Sequence, residues 1–517
     1  MPSTQIKTIT IVGGGTAGWM TAAALIRFFP KDHYRIKLIE SDLIGTVGVG
    51  EATVPHIRFF NNMLGIDERD FIQATQATYK LGIQFENWGE IGDSYIHPFG
   101  SHGYSLGGIG FHHYWIKLKQ ENRAIPFDKF SMAVAAAEGG KFAYPSADLN
   151  SPLSTYTYAF HINASAYARY LREYAEARGI IRIEGKIDQV TTNPCGEIRG
   201  LMLGSGQKIE SDFFIDCSGF TGLLIEKTLG TGYENWSQWL LCDRAVAIPS
   251  ESTQDIKLYT RSIARECGWQ WQIPLQNRTG NGYVYSSQLL TEDAAYQGLL
   301  SNLEGAPLAE PNFLRFTPGR RLKSWNKNCV AIGLSSGFLE PLESTSIYLI
   351  QVAILKLIEF FPHDSDSVAQ QTEFNRQIKN EYEKVRDFIV LHYHLNRRTD
   401  SDLWTHCAHM TLPDELERKK QLFYASGHVE KYQHGLFMEP SWLAVYLGQA
   451  KPPTNYDVRV DRFNTDQLDA HFVRLARELA NAVQAMPTIT RDSYSMLSSF
   501  SQEDAAATMS LYGGAFR

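Results

Sequence analysis

Four groups of residues in this chain have the types and spacing to do chemistry. The first is Gly13-Gly14-Gly15-Thr16-Ala17-Gly18, a G-x-G-x-x-G run directly behind the β-branched stretch Ile6–Val12. Glycines there let a backbone approach a pyrophosphate, and the helix they open offers N–H donors to it. Glu40 ends the next β-branched stretch about 20 residues on, where a ribose hydroxyl finds an acceptor. The second is Lys80, which begins an alternation with Leu81, Ile83 and Phe85 on one face and Gly82 and Gln84 on its own. An isolated lysine is ordinarily a solvated surface charge. The third is Trp269-Gln270-Trp271-Gln272-Ile273-Pro274, whose alternation puts both indoles on one side of a predicted strand. Core packing is the plain reading of such a pair. The fourth is Glu343, just ahead of an apolar helix predicted over Thr345–Phe361. A carboxylate there complements the helix dipole without further purpose.

The elements that must position these residues can be read in outline. Strand 6–12, the glycine turn, a helix over Trp19–Phe29 stopped by Pro30, and a strand over Arg35–Ile39 make one βαβ unit. Asp216-Cys217-Ser218-Gly219 and Ala331-Ile332-Gly333-Leu334 each end a buried strand at a glycine turn. A long cofactor crossing the sheet needs such turns, which favours FAD over NAD. No second G-x-G-x-x-G follows, so a built-in NAD(P)H domain is not expected. The stretch 163–178 reads as a helix, and 397–412 and 449–456 read as loops. The last twenty residues are small and polar and expected to be poorly ordered.

The fold class is therefore α/β. A doubly wound FAD-binding (Rossmann-type) domain with β-rich substrate-binding insertions is expected over 1–361, and a mostly helical C-terminal lid region over 362–517. Hydrophobic residues make up 44% and charged ones 20%, enough apolar material for a sizeable core. A net charge of −7 leaves no basic excess for phosphates, which argues against nucleic acid or an anionic membrane. No apolar run reaches the ~18 residues of a membrane span. The N-terminus lacks a signal-peptide pattern, and the 6 cysteines are scattered without a C-x-x-C pair. A cytoplasmic protein with reduced thiols is expected. His392, His394, His406 and His409 lie in one region, but no cysteine pair or H-E-x-x-H supports them, so no metal is expected.

In order along the chain, five motifs resemble those of the flavin-dependent tryptophan halogenases. They are the glycine run followed by Trp19, then Gly48-Val49-Gly50-Glu51-Ala52-Thr53, Tyr79-Lys80-Leu81-Gly82, the W-x-W-x-I-P hexapeptide, and Glu340-Pro341-Leu342-Glu343-Ser344-Thr345. The resemblance spans Ile9 to about Gly448. It implies a halogenase in which FAD, reduced by a separate flavin reductase, works with dioxygen and bromide or chloride to make a hypohalous acid. It further implies that Lys80 receives that oxidant beside an indole-type substrate and that Glu343 assists electrophilic substitution there. Cofactor contacts are implied at Gly13, Gly15, Thr16, Ala17, Gly18 and Glu40. Gly50, Ala52, Gly333 and Leu334 complete them. Thr345 and Ser346 would offer halide their backbone N–H groups, although many relatives have glycine at the second position. Trp269, Trp271, Ile273 and Pro274 would keep the substrate off the flavin. His97 and Phe99, with Trp442, would sandwich the indole.

The resemblance weakens at 430–442. Enzymes acting on free tryptophan hold its zwitterion with a Tyr- and Glu-rich segment, and this stretch has one tyrosine, Tyr432, and no Tyr-Tyr pair. Burying a zwitterion without partners is costly, so indole or a larger indole-bearing molecule is expected instead. Two alternatives are a flavin-dependent aromatic hydroxylase and a non-catalytic flavin-binding protein. Product mass separates out the first, and retention of Lys80 and Glu343 argues against the second. The expected partners are the reductase, the small aromatic and, as one option for assembly, a second copy in a homodimer.

Overall fold

A computed structural model describes residues 5–43, 50–252, 255–364, 367–432 and 435–495. The disorder expected of the last twenty residues, like Gly48 and Val49 of the second motif, lies outside them. The chain forms two interleaved compact units. One comprises 1–77, 162–243 and 314–383; the other comprises 78–161, 244–313 and 384–517. Of the stretch 362–517, residues 362–383 thus pack with the first unit. Among the described residues no helix is long and apolar enough to cross a membrane.

The first unit is built on a six-stranded sheet in the order Trp325–Asn326, Cys329–Ala331, Phe213–Asp216, Thr8–Val12, Arg35–Glu40, Ile181–Glu184. Every pairing is parallel except the outermost, Trp325–Asn326. Ile9, Ile11, Leu38, Phe214 and Val330 are wholly buried, as strands covered on both faces require. Helix Thr16–Phe28 is buried along its whole middle, Gly18–Ile26, and packs on helix Ala164–Glu176. The latter is capped by Asn163, whose side chain accepts from the Ala166 N–H at 3.2 Å. A small antiparallel sheet, Ile187–Thr192, Ile198–Leu203 and Lys208–Glu210, adds Ile198, Leu201 and Leu203 to the core formed by Val12, Ile39 and Phe214.

Six strands of a seven-stranded sheet lie wholly in the second unit. Their order is Arg244–Ser250, Thr279–Tyr285, Gly268–Pro274, Thr260–Arg265, Gly82–Glu86, Ser94–Pro98. Thr78–Lys80 is a separate strand, antiparallel to Ala159–His161. The alternation read through Lys80–Phe85 is thus broken at Leu81, where the chain leaves one sheet for the other. Leu81 donates its N–H to Leu258 O and accepts from the Phe99 N–H, at 2.7 and 2.8 Å. Because two sheets converge there, both faces are covered, and Lys80 is as buried as Leu81. The loop expected at 397–412 contains helix Asp402–His409. Ser401 caps it by accepting from the Trp404 N–H, and Trp404 is buried against Trp88. Helices Asp414–Ser426, Glu439–Gln449 and Thr465–Ala485 follow, so the C-terminal stretch is mostly helical.

Candidate active site

In the first unit the strand register assembles one functional edge. Val12 pairs with Asp216, and Asp216 with Ala331, so the glycine run, Cys217 and Ile332 leave the sheet side by side, with Glu40 ending the neighbouring strand. Residues 13–17 remain half-buried. Gly13 has φ +108°, and a Cβ on it would stand 2.3 Å from Cys217 O; one on Gly18 would stand 1.8 Å from Gly13 O. Among the described residues nothing lies within 4 Å of a Cβ placed on Gly15, and no side chain caps the helix that it starts. Gly333 has φ +79°, with a Cβ placed there 2.8 Å from that of Ala17. Closed glycine packing beneath an open turn and an uncapped helix end fits a dinucleotide pyrophosphate. Thr16 and Ala17 open that helix; Leu334 is half-buried and Ala52 buried, on strand Gly50–Ala52.

Glu40 is more engaged than its spacing implied. Its carboxylate pairs with Arg182 and Arg172 and accepts from the Trp19 indole N–H at 3.2 Å. The tryptophan behind the third glycine therefore orients the acidic residue, a role that tertiary proximity alone reveals. Asp216 is a structural cap. Its two oxygens accept from the Ser218 N–H and hydroxyl and from the Leu224 and Ile225 N–H groups, at 2.6–2.9 Å. In the second motif, burial lifts the half-buried Glu51 carboxyl to about 7.

Glu343 does not sit in an ordinary first helical turn. It is 2% exposed with φ 63°, and Ser344 follows at φ 59°, ahead of helix Thr345–Glu359. Two successive non-glycine residues in the left-handed region cost about 1–3 kcal/mol each, and such strain clusters at functional sites. Among the described residues no side-chain cap bond is found at its N-terminus; Thr345 is buried and Ser346 half-buried there.

In the second unit Lys80 is wholly buried, its ammonium 5.1 Å from the centre of the Phe99 ring. Phe99 is held by backbone bonds to Leu81 and Thr157, both 2.8 Å. His97, on strand Ser94–Pro98, has Phe388 and Phe437 as ring neighbours at 5.7 and 6.3 Å. Those two phenylalanines stack at 3.8 Å, and Trp442 meets Phe388 edge-on at 5.2 Å while donating its N–H to Phe437 O at 3.1 Å. Phe388 and Phe437 thus join His97 to Trp442. Neither carries a local signal, because their meeting depends on how helices 368–394 and 439–449 pack.

The tryptophan pair lies on strand Gly268–Pro274 with both rings buried on one face. Trp269 is 6.2 Å from Trp271 and 6.3 Å from Trp88, and Trp271 lies so close to Gly282 that a Cβ there would meet its ring at 2.0 Å. Ile273 is buried on the same face. Pro274 presents its carbonyl to the Thr78 hydroxyl at 2.7 Å.

Beside Trp442 a small recess is lined by Lys419, Tyr432 and Tyr446. The Lys419 ammonium lies over the rings of Tyr432 and Trp442, at 5.2 and 5.3 Å. Both phenol oxygens are buried without a hydrogen-bond partner among the described residues. Burial pushes both phenols well above their ordinary range. A second tyrosine, Tyr446 on helix Glu439–Gln449, thus stands beside Tyr432. Among the described residues no three metal-ligating side chains converge. His392, His394 and His409 each face a backbone carbonyl through Nδ1.

Residues 8–465 match the tryptophan halogenase family. A tryptophan 6-halogenase of Streptomyces albogriseolus is 37% identical over 487 residues, 87% of this chain and 91% of that protein. A tryptophan 7-halogenase of Lentzea aerocolonigenes is 35% identical over 82% of this chain and 83% of its own. Among solved structures, a flavin-dependent halogenase from Brevundimonas sp. BAL3 superposes with a TM-score of 0.91 at 46% identity, over 95% of this chain and 99% of that one. With a Rossmann-type nucleotide edge and matches over nearly its whole length, this chain belongs to the tryptophan halogenases, the flavin-dependent enzymes whose FAD is used in its reduced form.

Proposed function

We propose that the protein halogenates an indole-type aromatic with bromide or chloride, by a hypohalous acid relayed to Lys80. The observation that carries this is the wholly buried ammonium over the Phe99 ring. Burying a lysine side chain is expensive, and the solvated surface role ordinary for a lysine does not call for it. Bound reduced FAD supplies, with dioxygen, the oxidising power that converts halide to hypohalous acid. Gly13, Gly15 and Gly18 admit the pyrophosphate, and the uncapped helix at Thr345 and Ser346 offers N–H groups to the halide. The Lys80 side chain takes up the hypohalous acid, either as an ammonium that donates a hydrogen bond to it or as the free amine, which gains the halogen while the oxygen–halogen bond breaks and water leaves. His97 and Phe99 stack on the indole, with Trp442 behind. As the halogen joins the ring, Glu343 stabilises the cationic intermediate and accepts the displaced ring proton. Trp269, Trp271, Ile273 and Pro274 hold the substrate away from the flavin, which disfavours hydroxylation. Electrons come from a separate flavin reductase, because the chain has no NAD(P)H fingerprint.

For the substrate, indole or a neutral 3-substituted indole is favoured over free tryptophan. Ring stacking needs only the indole, whereas a zwitterion without matched partners loses several kcal/mol. The Lys419–Tyr432–Tyr446 recess is the feature that would reverse this order if it received a carboxylate. The test is incubation with reduced FAD, oxygen and bromide, offering equimolar indole and tryptophan and reading products by mass. Brominated indole in excess is expected. A preference for tryptophan would overturn the substrate reading, and oxygenated products without halogen would overturn the halogenase reading.

A further inference from the structure

One buried histidine has no part in the chemistry above. His161 is wholly buried on strand Ala159–Asn163, paired with Thr78. Thr78 and Lys80 alternate on their strand, so the imidazole lies on the face that carries the ammonium. Its Nδ1 is 2.9 Å from Thr78 Oγ1 and its Nε2 3.1 Å from Thr260 Oγ1. The directions of these bonds follow from proton supply. The single Thr78 hydroxyl proton goes to Pro274 O at 2.7 Å, so Nδ1–H donates to Thr78 and Nε2 accepts from Thr260. Burial first, and the Lys80 charge second, hold His161 well below its ordinary pKa, so it keeps this neutral tautomer.

The hydrogen-bonded chain joins three further strands to that of His161. Thr78 is on the lysine strand, Pro274 ends the tryptophan strand, and Thr260 begins the strand that pairs with both Gly82–Glu86 and Gly268–Pro274. The lysine strand is only three residues long and breaks at Leu81, so its ladder gives Lys80 little purchase. We propose that His161 is a positioning residue for Lys80: clamped between Thr78 and Thr260, it fixes the lysine strand against strand Thr260–Arg265, the neighbour of the strand that carries Trp269, Trp271 and Pro274. This rests on the reading of Lys80 as the residue that receives the hypohalous acid.

The test uses the full-length, FAD-loaded enzyme carrying His161→Phe, which keeps a ring and removes both bonds, and Thr260→Val, which removes only the donor to Nε2. Brominated indole formed per flavin reoxidised should fall about tenfold in His161→Phe and a few-fold in Thr260→Val, the scale of a small misplacement of a reacting group. The oxidant lost from product should be recovered by a soluble hypohalous-acid trap, with the KM for indole and the FAD affinity unchanged. A merely structural role would lower folded yield or melting temperature without diverting oxidant to the trap. Wild-type coupling in both folded variants would overturn the proposal; if His161→Phe does not fold, Thr260→Val alone decides. Should wild-type enzyme give neither product nor trapped oxidant, the halogenase reading fails separately. Deuterium uptake then decides the positioning: faster exchange over 78–81 in Thr260→Val sustains it, and unchanged exchange overturns it.

Discussion

The nucleotide edge of the first unit and the lysine region of the second solve the problem of precision in opposite ways. The nucleotide edge is made of backbone. Gly13, Gly18 and Gly333 sit where a single added carbon collides, and the groups this edge would offer a cofactor are the amides of a turn and of a helix start. The lysine region is made of side chains. Lys80, Phe99, Thr78, His161 and Thr260 come from four separate strands and stretches, and each is placed by contacts with the others. A backbone site is therefore broken by adding atoms, and a side-chain site by removing them.

The largest effect expected from this contrast is that of Lys80→Ala. Halogenated product should fall at least about a thousandfold, the scale of losing an essential group, while flavin still reoxidises. Product formation near the wild-type rate would show that the buried ammonium is only structural. Glu343→Gln should lower turnover about a hundredfold, the size of a general-base or electrostatic contribution, with FAD affinity intact. A variant that loses FAD instead would make Glu343 part of the strained turn and nothing more.

On the other side of the comparison, Gly18→Ala puts a methyl 1.8 Å from the Gly13 carbonyl oxygen. Overpacking of this kind costs about 1–3 kcal/mol, so the FAD dissociation constant should rise between about fivefold and a hundredfold. Flavin fluorescence titration reads it, and unchanged binding would mean that the turn does not hold the pyrophosphate. The smallest expected effect is that of Trp19→Phe, which removes the indole donor to Glu40 at about 1 kcal/mol. A thermal-unfolding shift of a few degrees is expected. No shift would leave the two arginines as the sole anchors of Glu40.

How much was legible beforehand differs between the two regions for the same physical reason. The βαβ unit and both later glycine turns could be placed along the chain, because strand–turn–helix chemistry is local and glycine marks a close approach wherever it is needed. The strand carrying the tryptophan pair was legible through its period of two. The lysine strand was not, since the switch between sheets at Leu81 leaves Lys80, Leu81 and Gly82 all buried and erases the alternation. The sequence of helix Asp402–His409 reads as a loop, although Ser401 caps it, because the region around it lacks a long apolar period.

By itself the sequence determined the nucleotide-binding end, the order of the motifs and, by resemblance, the family. Those depend on neighbours within a few residues or on patterns retained along the chain. Only the tertiary structure decided that Lys80 is buried and that Trp19 holds Glu40. It alone brought Phe388 and Phe437 between His97 and Trp442, and Tyr446 beside Tyr432. Each of these meetings joins residues without a shared local period, and which side chains meet is settled by packing.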